Sequence, residues 1–464
     1  MLSFSLVMFL LFFTVIAFTI MGVLYSKGKI ETMDDFLTVR DSTGPHILTA
    51  TFLASFLGVF ILFTPPEAGA IGGITTIIGY AIGVASLYLA FSVLSPKIRA
   101  YLPEGSTLND YALKRYGSNM YSLTLLLSIF YMLVHIVAEL TAIAQVAYQL
   151  AGIPLIYTAF LVGIGTMIYT TYGGLKASMF TDLIQMILIV ILLIIVTIGI
   201  LYYSGGLGEV LEQIAINKPD LLDFKNLGGI EYGLTLCIGV FAANLFHQGY
   251  WQRIYSGKNN TVVKKSLITC ILIVLPIMII TGFIGIASSG LGIDDNPSVA
   301  LFSLVYSLFP KELIVAVFIL ALVLVMSTVD TLLNAMVATL SSIRLLKNTK
   351  RANSLTHARI ITVFLILTAT LISSKGYSVL YLFLVADLVC AGVFVPLFFG
   401  LFNPYLKENI AILAAILGVA SGIPSFIANK LLFAFIFPVI VSSTICILGS
   451  IKNNQHNFKK TLDN

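Results

Sequence analysis

The chain has 464 residues, of which 58% are hydrophobic and only 10% are charged. With a mean hydropathy of +1.01, this composition excludes an ordinary soluble domain and predicts an integral membrane protein. Apolar runs of about 20 residues recur along the chain, and each is long enough to cross a hydrocarbon core of about 30 Å as a helix. The four cysteines lie scattered in these runs without metal-ligand spacing, so we expect them to be small core residues.

The apolar runs predict an all-helical protein with thirteen membrane spans. The first run is counted as a span because no basic segment precedes it and because it is longer than the apolar region of a signal peptide. The predicted spans cover residues 3–25, 44–72, 74–96, 122–152, 154–172, 178–204, 231–251, 264–290, 310–345, 356–374, 378–402, 409–427 and 430–451.

The basic residues predict how these spans are oriented, because cytoplasmic segments of membrane proteins are enriched in Lys and Arg. With the N-terminus outside and the C-terminus in the cytoplasm, only five of the 26 basic residues fall in outer segments, namely Lys218, Lys225, Lys311, Lys375 and Lys430. No segment between spans is long enough for a soluble domain. We expect any function to reside in the helix bundle, and the polar tail at 452–464 to be a disordered cytoplasmic end.

Two predicted spans carry helix-breaking residues. The second contains Gly58 and then Pro65 and Pro66, which lack backbone donors and leave carbonyl oxygens without helical partners. The seventh contains three glycines, Gly233, Gly239 and Gly249. Interrupted helices five spans apart are typical of inverted-repeat transporters, which bind their solutes at such breaks.

Five carboxylates lie within predicted spans: Glu67, Glu139, Asp182, Asp330 and Asp387. A charge at the centre of a membrane helix costs about 2.5 to 3.5 kcal/mol on insertion scales, so each of these acids is a functional candidate. Lys and Arg are absent from the middle of the predicted spans. We therefore expect a proton, a bound metal cation or a cationic solute to neutralise the acids.

The apolar stretch LVLVMSTVDTLLNAMV, residues 322–337, holds several oxygen ligands within a few residues. Ser327 and Thr328 supply hydroxyls, and the Leu324 carbonyl lies one turn earlier. Such oxygens suit Na⁺, but the two hydroxyls can instead bond back to the preceding helical turn. Asp330 shares a helix face with Ser327, and Thr331 follows it directly.

Two further predicted spans carry polar residues with more than one interpretation. Asp182, which follows Thr181, is either a helix N-cap or part of an ion site. His135 and Glu139 share an i, i+4 face of the fourth span, which favours the lining of a cavity over a packed histidine.

Three stretches resemble the sodium:solute symporter family: YTTYGGLKASMFTDLIQ at 169–185, QGYWQR at 248–253 and MSTVDTLLNA at 326–335. The first is close to the family pattern GGLxAxxxTDxxQ. The resemblance implies a LeuT-like core of five plus five inverted-repeat helices with discontinuous members. It divides the single transmembrane unit, 1–464, into an N-terminal helix and loop (1–43), the core (44–402), two C-terminal helices (403–451) and the tail.

The resemblance also implies binding sites. The family's sodium site maps onto the carbonyls of Leu53 and Phe56 with oxygens of Leu324, Ser327 and Thr328. A second sodium site, present in some members, maps onto Asp182, Ser327, Asp330 and Thr331. The family's solute site maps onto Ser55, His135, Glu139, Asn244, Gln248 and Asp387.

Departures from known members narrow the solute. Proline carriers have an aspartate and then Met-Ser-Gly-Trp where this chain reads SFLGV, with Ser55 in the position of the acid, which argues against proline. Sialic-acid carriers place an arginine near the position of His135, and sugar carriers have a run of polar side chains that is absent here. Glu139 and Asp387 favour an amino acid or related amine-bearing solute.

The expected function is Na⁺-coupled symport of a small organic solute across the plasma membrane by alternating access. The expected partners are the solute and the lipid bilayer, with no nucleic acid and no obligate protein partner. The alternatives are an H⁺-coupled symporter with Glu139 or Asp387 as the proton carrier, or a membrane sensor that uses a transporter fold. No Walker loop or intramembrane protease motif is present, so we do not expect an enzyme.

Overall fold

The computed structural model describes residues 2–29, 36–293, 296–341 and 351–462. Within these ranges the chain forms α-helices and short 3₁₀ turns, and the only β interaction is an isolated bridge between Thr43 and Gly257. The last residues predicted for the ninth span, 342–345, lie outside the described ranges.

The described residues form sixteen α-helices, and ten helical segments are long and apolar enough to cross a membrane. This agrees with an all-helical integral membrane protein. The helices are α1 Phe4–Ser26, α2 Pro45–Phe56, α3 Thr64–Tyr101, α4 Leu108–Arg115, α5 Ser118–Ala151, α6 Leu155–Tyr203, α7 Leu207–Asn217, α8 Leu227–Asn244, α9 Gln248–Ser256, α10 Asn260–Gly290, α11 Ala300–Leu308, α12 Lys311–Ser341, α13 Arg351–Ser373, α14 Val379–Phe402, α15 Glu408–Ile427 and α16 Leu431–Leu462.

Helices α3 and α6 each contain a glycine with a left-handed backbone. Gly73 has φ 71° and Gly174 has φ 55°, and both interrupt the helical geometry. A side chain at either position would be strained, which explains glycine there. These breaks fall at the boundaries predicted between spans 2 and 3 and between spans 5 and 6.

The second predicted span is interrupted between α2 and α3. Helix α2 ends at Phe56, a 3₁₀ turn covers Val59–Leu62, and α3 begins at Thr64. The break therefore precedes the two prolines, which occupy the first turn of α3. Proline is well tolerated there because first-turn N–H groups have no helical acceptor.

The seventh predicted span is interrupted as well, but not at its glycines. Helix α8 ends at Asn244 and α9 begins at Gln248, and the indole Nε1 of Trp251 donates to the carbonyl of Leu245 inside the break at 2.9 Å. Gly233 lies within α8, where an added Cβ would sit 2.9 Å from the carbonyl oxygen of Thr75. This glycine lets α8 approach α3 closely rather than breaking the helix.

Helix α12 is the central element of the bundle. It packs along α6, α5 and α13, and every residue from Leu320 to Ser341 is buried. A helix buried on all sides cannot turn its polar residues towards water. The hydroxyls and the carboxylate of this helix therefore depend for partners on the helix itself, on neighbouring helices or on a bound ligand.

Candidate functional site

Ser327 connects α12 to the end of the broken helix α2. Its hydroxyl lies 2.9 Å from the Leu324 carbonyl oxygen and 3.1 Å from the carbonyl oxygen of Ala54. The serine thus bonds back to its own helix and also contacts α2. The predicted carbonyls lie beside this contact: Leu53 O accepts from Leu57 N at 2.7 Å, and Phe56 O accepts from Gly58 N at 2.8 Å.

Thr328 carries a buried hydroxyl without a protein partner. Its side chain is 4% exposed, and no hydrogen bond engages its Oγ1. A buried polar atom without a partner costs about 1 to 3 kcal/mol, so native structures contain few of them. An oxygen of this kind, beside Gly58 at a helix break, fits a dehydrated alkali-metal ion.

Glu139 of α5 lies over the break between α2 and α3. Its Oε2 accepts a hydrogen bond from the backbone N–H of Val59 at 2.8 Å. A Cβ on Gly58 would overlap Glu139 Oε1 and would lie 2.8 Å from Thr328 Oγ1. The backbone of Gly58 has φ −80°, which any residue can adopt. Glycine is needed here because Glu139 and Thr328 leave no room for a side chain.

A cavity next to the break brings together five of the six predicted solute residues, all except Gln248. It offers about 40 Å³ to the centre of a water-sized sphere, which is room for a few water molecules. No Lys or Arg lines it. Its walls are Ser55, Phe56, Phe60, Tyr80, His135, Glu139, Leu236, Val240, Asn244, His247, Thr328, Leu380, Phe383 and Asp387.

Two histidines face each other across this cavity. Their ring centroids are 6.5 Å apart, and neither Nε2 of His135 nor either ring nitrogen of His247 has a partner. The ring of Tyr131 lies 4.0 Å from that of His135, and its hydroxyl donates to Asn244 Oδ1 at 3.1 Å. Sequence reasoning missed His247, although its position directly before QGYWQR in a broken span was a usable signal.

Asp387 enters the cavity from α14. Its side chain is 5% exposed, and no hydrogen bond from the described residues engages its carboxylate. A Cβ on Gly239 of α8 would lie 3.0 Å from its Oδ2. This second predicted helix breaker therefore makes room for an acid.

Gln248 does not reach the cavity. Its Oε1 accepts from the backbone N–H of Leu108 at 2.8 Å, and its Nε2 donates to Ser128 Oγ at 2.8 Å. The side chain is fully used in joining α9 to α4 and α5.

The expectation that none of the buried acids has a fixed cationic partner is wrong for Asp182. Arg253 of α9 is fully buried, and its Nη2 lies 2.8 Å from Asp182 Oδ2. The arginine was assigned to a cytoplasmic segment, but the break before α9 allows this short helix to pack into the bundle. Asp182 is also not an N-cap, because it lies well inside α6.

The residues predicted for a second sodium site do cluster, with the Arg253 guanidinium among them. Arg253 Nη2 donates to Thr331 Oγ1 at 2.8 Å. Asp330 accepts from the hydroxyls of Tyr169 and Ser178, each at 2.8 Å. This second cluster therefore already contains a permanent positive charge.

Interrupted helices with a cavity between them are typical of membrane transporters. Residues 36–418 match the sodium:solute symporter family, and the chain belongs to that family. Its proteins are transporters rather than enzymes, which confirms that expectation.

Curated relatives differ in what they carry. The chain is 26% identical to the spermidine transporter of Candida albicans over 88% of this chain and 77% of that protein. It is 24% identical to the sodium/pantothenate symporter of Escherichia coli over 55% of this chain and 54% of that protein.

Solved structures show the same fold. A substrate-bound, outward-open Na⁺-coupled sialic acid symporter superposes with a TM-score of 0.78 at 19% identity, covering 96% of this chain and 97% of that one. Mhp1, a nucleobase-cation-symport-1 family transporter, superposes with a TM-score of 0.60 at 16% identity, covering 92% of this chain and 96% of that one. These matches assign the LeuT-like fold and leave the solute open.

Proposed function

We propose that this protein is a plasma-membrane symporter that couples Na⁺ entry to uptake of a small organic cation by alternating access. The observation that carries the proposal is the cavity between the broken helices, which contains two carboxylates, no Lys or Arg side chain and the unpaired hydroxyl of Thr328.

Sodium is assigned to the junction of α2 and α12. The ligands are the carbonyls of Leu53, Phe56 and Leu324 with the hydroxyls of Ser327 and Thr328. An ion held there ties α2 to α12 and stabilises the state in which the cavity is formed. Opening towards the cytoplasm weakens this cage and releases both ion and solute. The membrane potential contributes about 2.3 kcal/mol per charge per 100 mV.

The cavity chemistry favours an amine without a carboxylate over an amino acid. Asp387 offers a buried, unpaired carboxylate to an ammonium group, and the rings of Phe60 and Phe383 give it an aromatic wall. The carboxylate of an amino acid would meet Glu139 and Asp387 with no Lys or Arg to bind it. The name of the Candida relative, a spermidine transporter, agrees with this solute class.

The membrane arrangement follows from the same proposal. We assign thirteen spans, with the inverted-repeat core at 44–402, the N-terminus outside and the C-terminus in the cytoplasm. The interruptions between α2 and α3 and between α8 and α9 support it, since they occupy corresponding positions in the two repeats. We assign one sodium ion, because Arg253 already supplies positive charge to the Asp182 and Asp330 cluster.

The test is uptake into liposomes that contain the purified protein, at one fixed pH. Labelled putrescine, spermidine, choline and a neutral amino acid are offered with an inward Na⁺ gradient or an equal K⁺ gradient. We expect one of the amines to accumulate only with Na⁺. Equal uptake in the two salts overturns sodium coupling, and uptake driven by a proton gradient alone assigns H⁺ as the coupled ion.

The matched variant is Asp387→Asn, which keeps the shape of the side chain and removes its charge. We expect it to lose amine uptake. Unchanged amine uptake, or selective uptake of the amino acid by the native protein, contradicts the assigned solute class.

A further inference from the structure

We propose that Glu139 is a direct ligand of the sodium ion, so that the two carboxylates of the cavity have separate roles: Glu139 serves the ion and Asp387 serves the solute. This inference rests on the proposed function and adds a charged side chain from α5 to a site otherwise built from neutral oxygens of α2 and α12.

Both carboxylate oxygens of Glu139 lie at the break between α2 and α3. Oε2 is held by the N–H of Val59, the residue directly after Gly58. Oε1 sits over Gly58, so closely that a Cβ there would overlap it, and Thr328 Oγ1 lies 2.8 Å from the same Cβ position. The carboxylate and the threonine hydroxyl thus converge on one point of the break, where a single ion can contact both.

Both groups are also buried. Thr328 Oγ1 is buried without a partner, and Glu139 is 1% exposed. Moving a bare cation out of water into a cage of neutral oxygens is costly, and an anionic ligand offsets part of that cost. A carboxylate anchored by a backbone N–H is also held in place before the ion arrives, so little ordering remains.

Asp387 differs from Glu139 in its contacts. It makes no hydrogen bond with the described residues, whereas Glu139 is held by the backbone N–H of Val59, and a Cβ on Gly239 of α8 would lie 3.0 Å from Asp387 Oδ2. Its carboxylate is free to turn towards an ammonium group in the cavity. Sodium neutralises one acid, and an ammonium group of the solute neutralises the other.

The experiment measures Na⁺ binding without transport. Trp251 is the only tryptophan of the chain, and it packs against Phe91 and Phe398 directly after the break between α8 and α9. Its fluorescence, together with thermal unfolding, is titrated with NaCl at constant ionic strength, using KCl as the balance. We compare the native protein with Glu139→Gln and with Asp387→Asn.

We expect Glu139→Gln to weaken Na⁺ binding by about tenfold or more while its unfolding temperature in KCl stays near that of the native protein. Asp387→Asn should bind Na⁺ as the native protein does and lose the amine response. If Glu139→Gln binds Na⁺ normally and loses the amine instead, Glu139 is a solute residue and the inference is overturned.

A second variant covers the case in which Glu139→Gln does not fold. Glu139→Asp keeps the charge but draws the carboxylate back from Gly58 and Thr328, so Na⁺ binding should weaken here too, and an unchanged affinity overturns the inference. If the native protein responds to NaCl and KCl alike, the proposed sodium coupling itself fails. If instead the native protein responds to NaCl only and Glu139→Gln keeps that response, sodium coupling stands and only the role of Glu139 is overturned.

Discussion

Two polar clusters on opposite faces of α12 differ in how their atoms are satisfied. Around Asp330, hydroxyls of α6 donate to the carboxylate, and Arg253 pairs with Oδ2 of the neighbouring Asp182, whose Oδ1 has no partner. Around Thr328, two residues away, no Lys or Arg is present, the threonine hydroxyl has no partner, and Glu139 accepts a hydrogen bond from the backbone N–H of Val59. Buried polar groups are normally hydrogen-bonded. We therefore interpret the Asp330 cluster, which contains the ion pair, as a structural junction between helices, and the Thr328 cluster as a ligand-binding site.

The largest expected effect comes from breaking the paired cluster. Arg253→Met leaves Asp182 buried without its partner, and losing one member of a buried ion pair costs about 3 to 5 kcal/mol. We expect poor folding and a much lower unfolding temperature in Na⁺-free buffer. The double variant Arg253→Met with Asp182→Asn should recover part of the loss. A single variant as stable as the native protein would show that this junction does not hold the helices together.

A smaller effect is expected at the break itself. Gly58→Ala forces a methyl group into the space of the Glu139 carboxylate, and overpacking of this kind typically costs about 1 to 3 kcal/mol. Both the unfolding temperature and the response to Na⁺ should fall. Gly208→Ala in α7 is the matched control, since a Cβ there meets no atom within 4 Å. If Gly58→Ala and Gly208→Ala have the same unfolding temperature and the same response to Na⁺, Glu139 does not lie against Gly58 as described.

The smallest change in stability is expected for Thr328→Ala, and this variant tests the difference between the two clusters most directly. Thr328→Ala removes a buried hydroxyl that bonds to nothing in the protein, so we expect it to lower stability in KCl less than removal of a hydrogen-bonded hydroxyl of α12 does. Na⁺ affinity should fall about tenfold, because the ion loses an oxygen ligand.

Thr331→Ala is the counterpart on the paired side of α12. Its hydroxyl accepts from Arg253 and donates to the Ser327 carbonyl at 3.0 Å, so its removal should lower stability in KCl. Thermal unfolding in the two salts separates the variants. If Thr328→Ala and Thr331→Ala change the unfolding temperatures in NaCl and KCl in the same way, the two clusters do not differ in function.

The ion-site prediction depended on local sequence. Hydroxyls such as Ser327 and Thr328 stand out in an apolar run because the membrane offers them no water. The carbonyls of Leu53 and Phe56 were named from the family resemblance. The structure brings Ser327 to the carbonyl of Ala54, which lies between them in the chain.

The predictions at the second break were less successful for a physical reason. The direction of a short helix after a break depends on what that helix packs against. Helix α9 carries Gln248 away from the cavity and brings Arg253 to Asp182, while His247 remains in the break and lines the cavity. None of these outcomes follows from the spacing of residues within QGYWQR.

The sequence by itself determined the membrane class, the helical architecture, the family and the presence of two interrupted spans, because hydropathy and helix breaking act through neighbouring residues. Only the tertiary structure decided which buried acid has an arginine, which lies beside the unpaired threonine and which remains open to a solute. Those outcomes depend on distances between helices far apart in the chain, where partners are chosen by packing and charge.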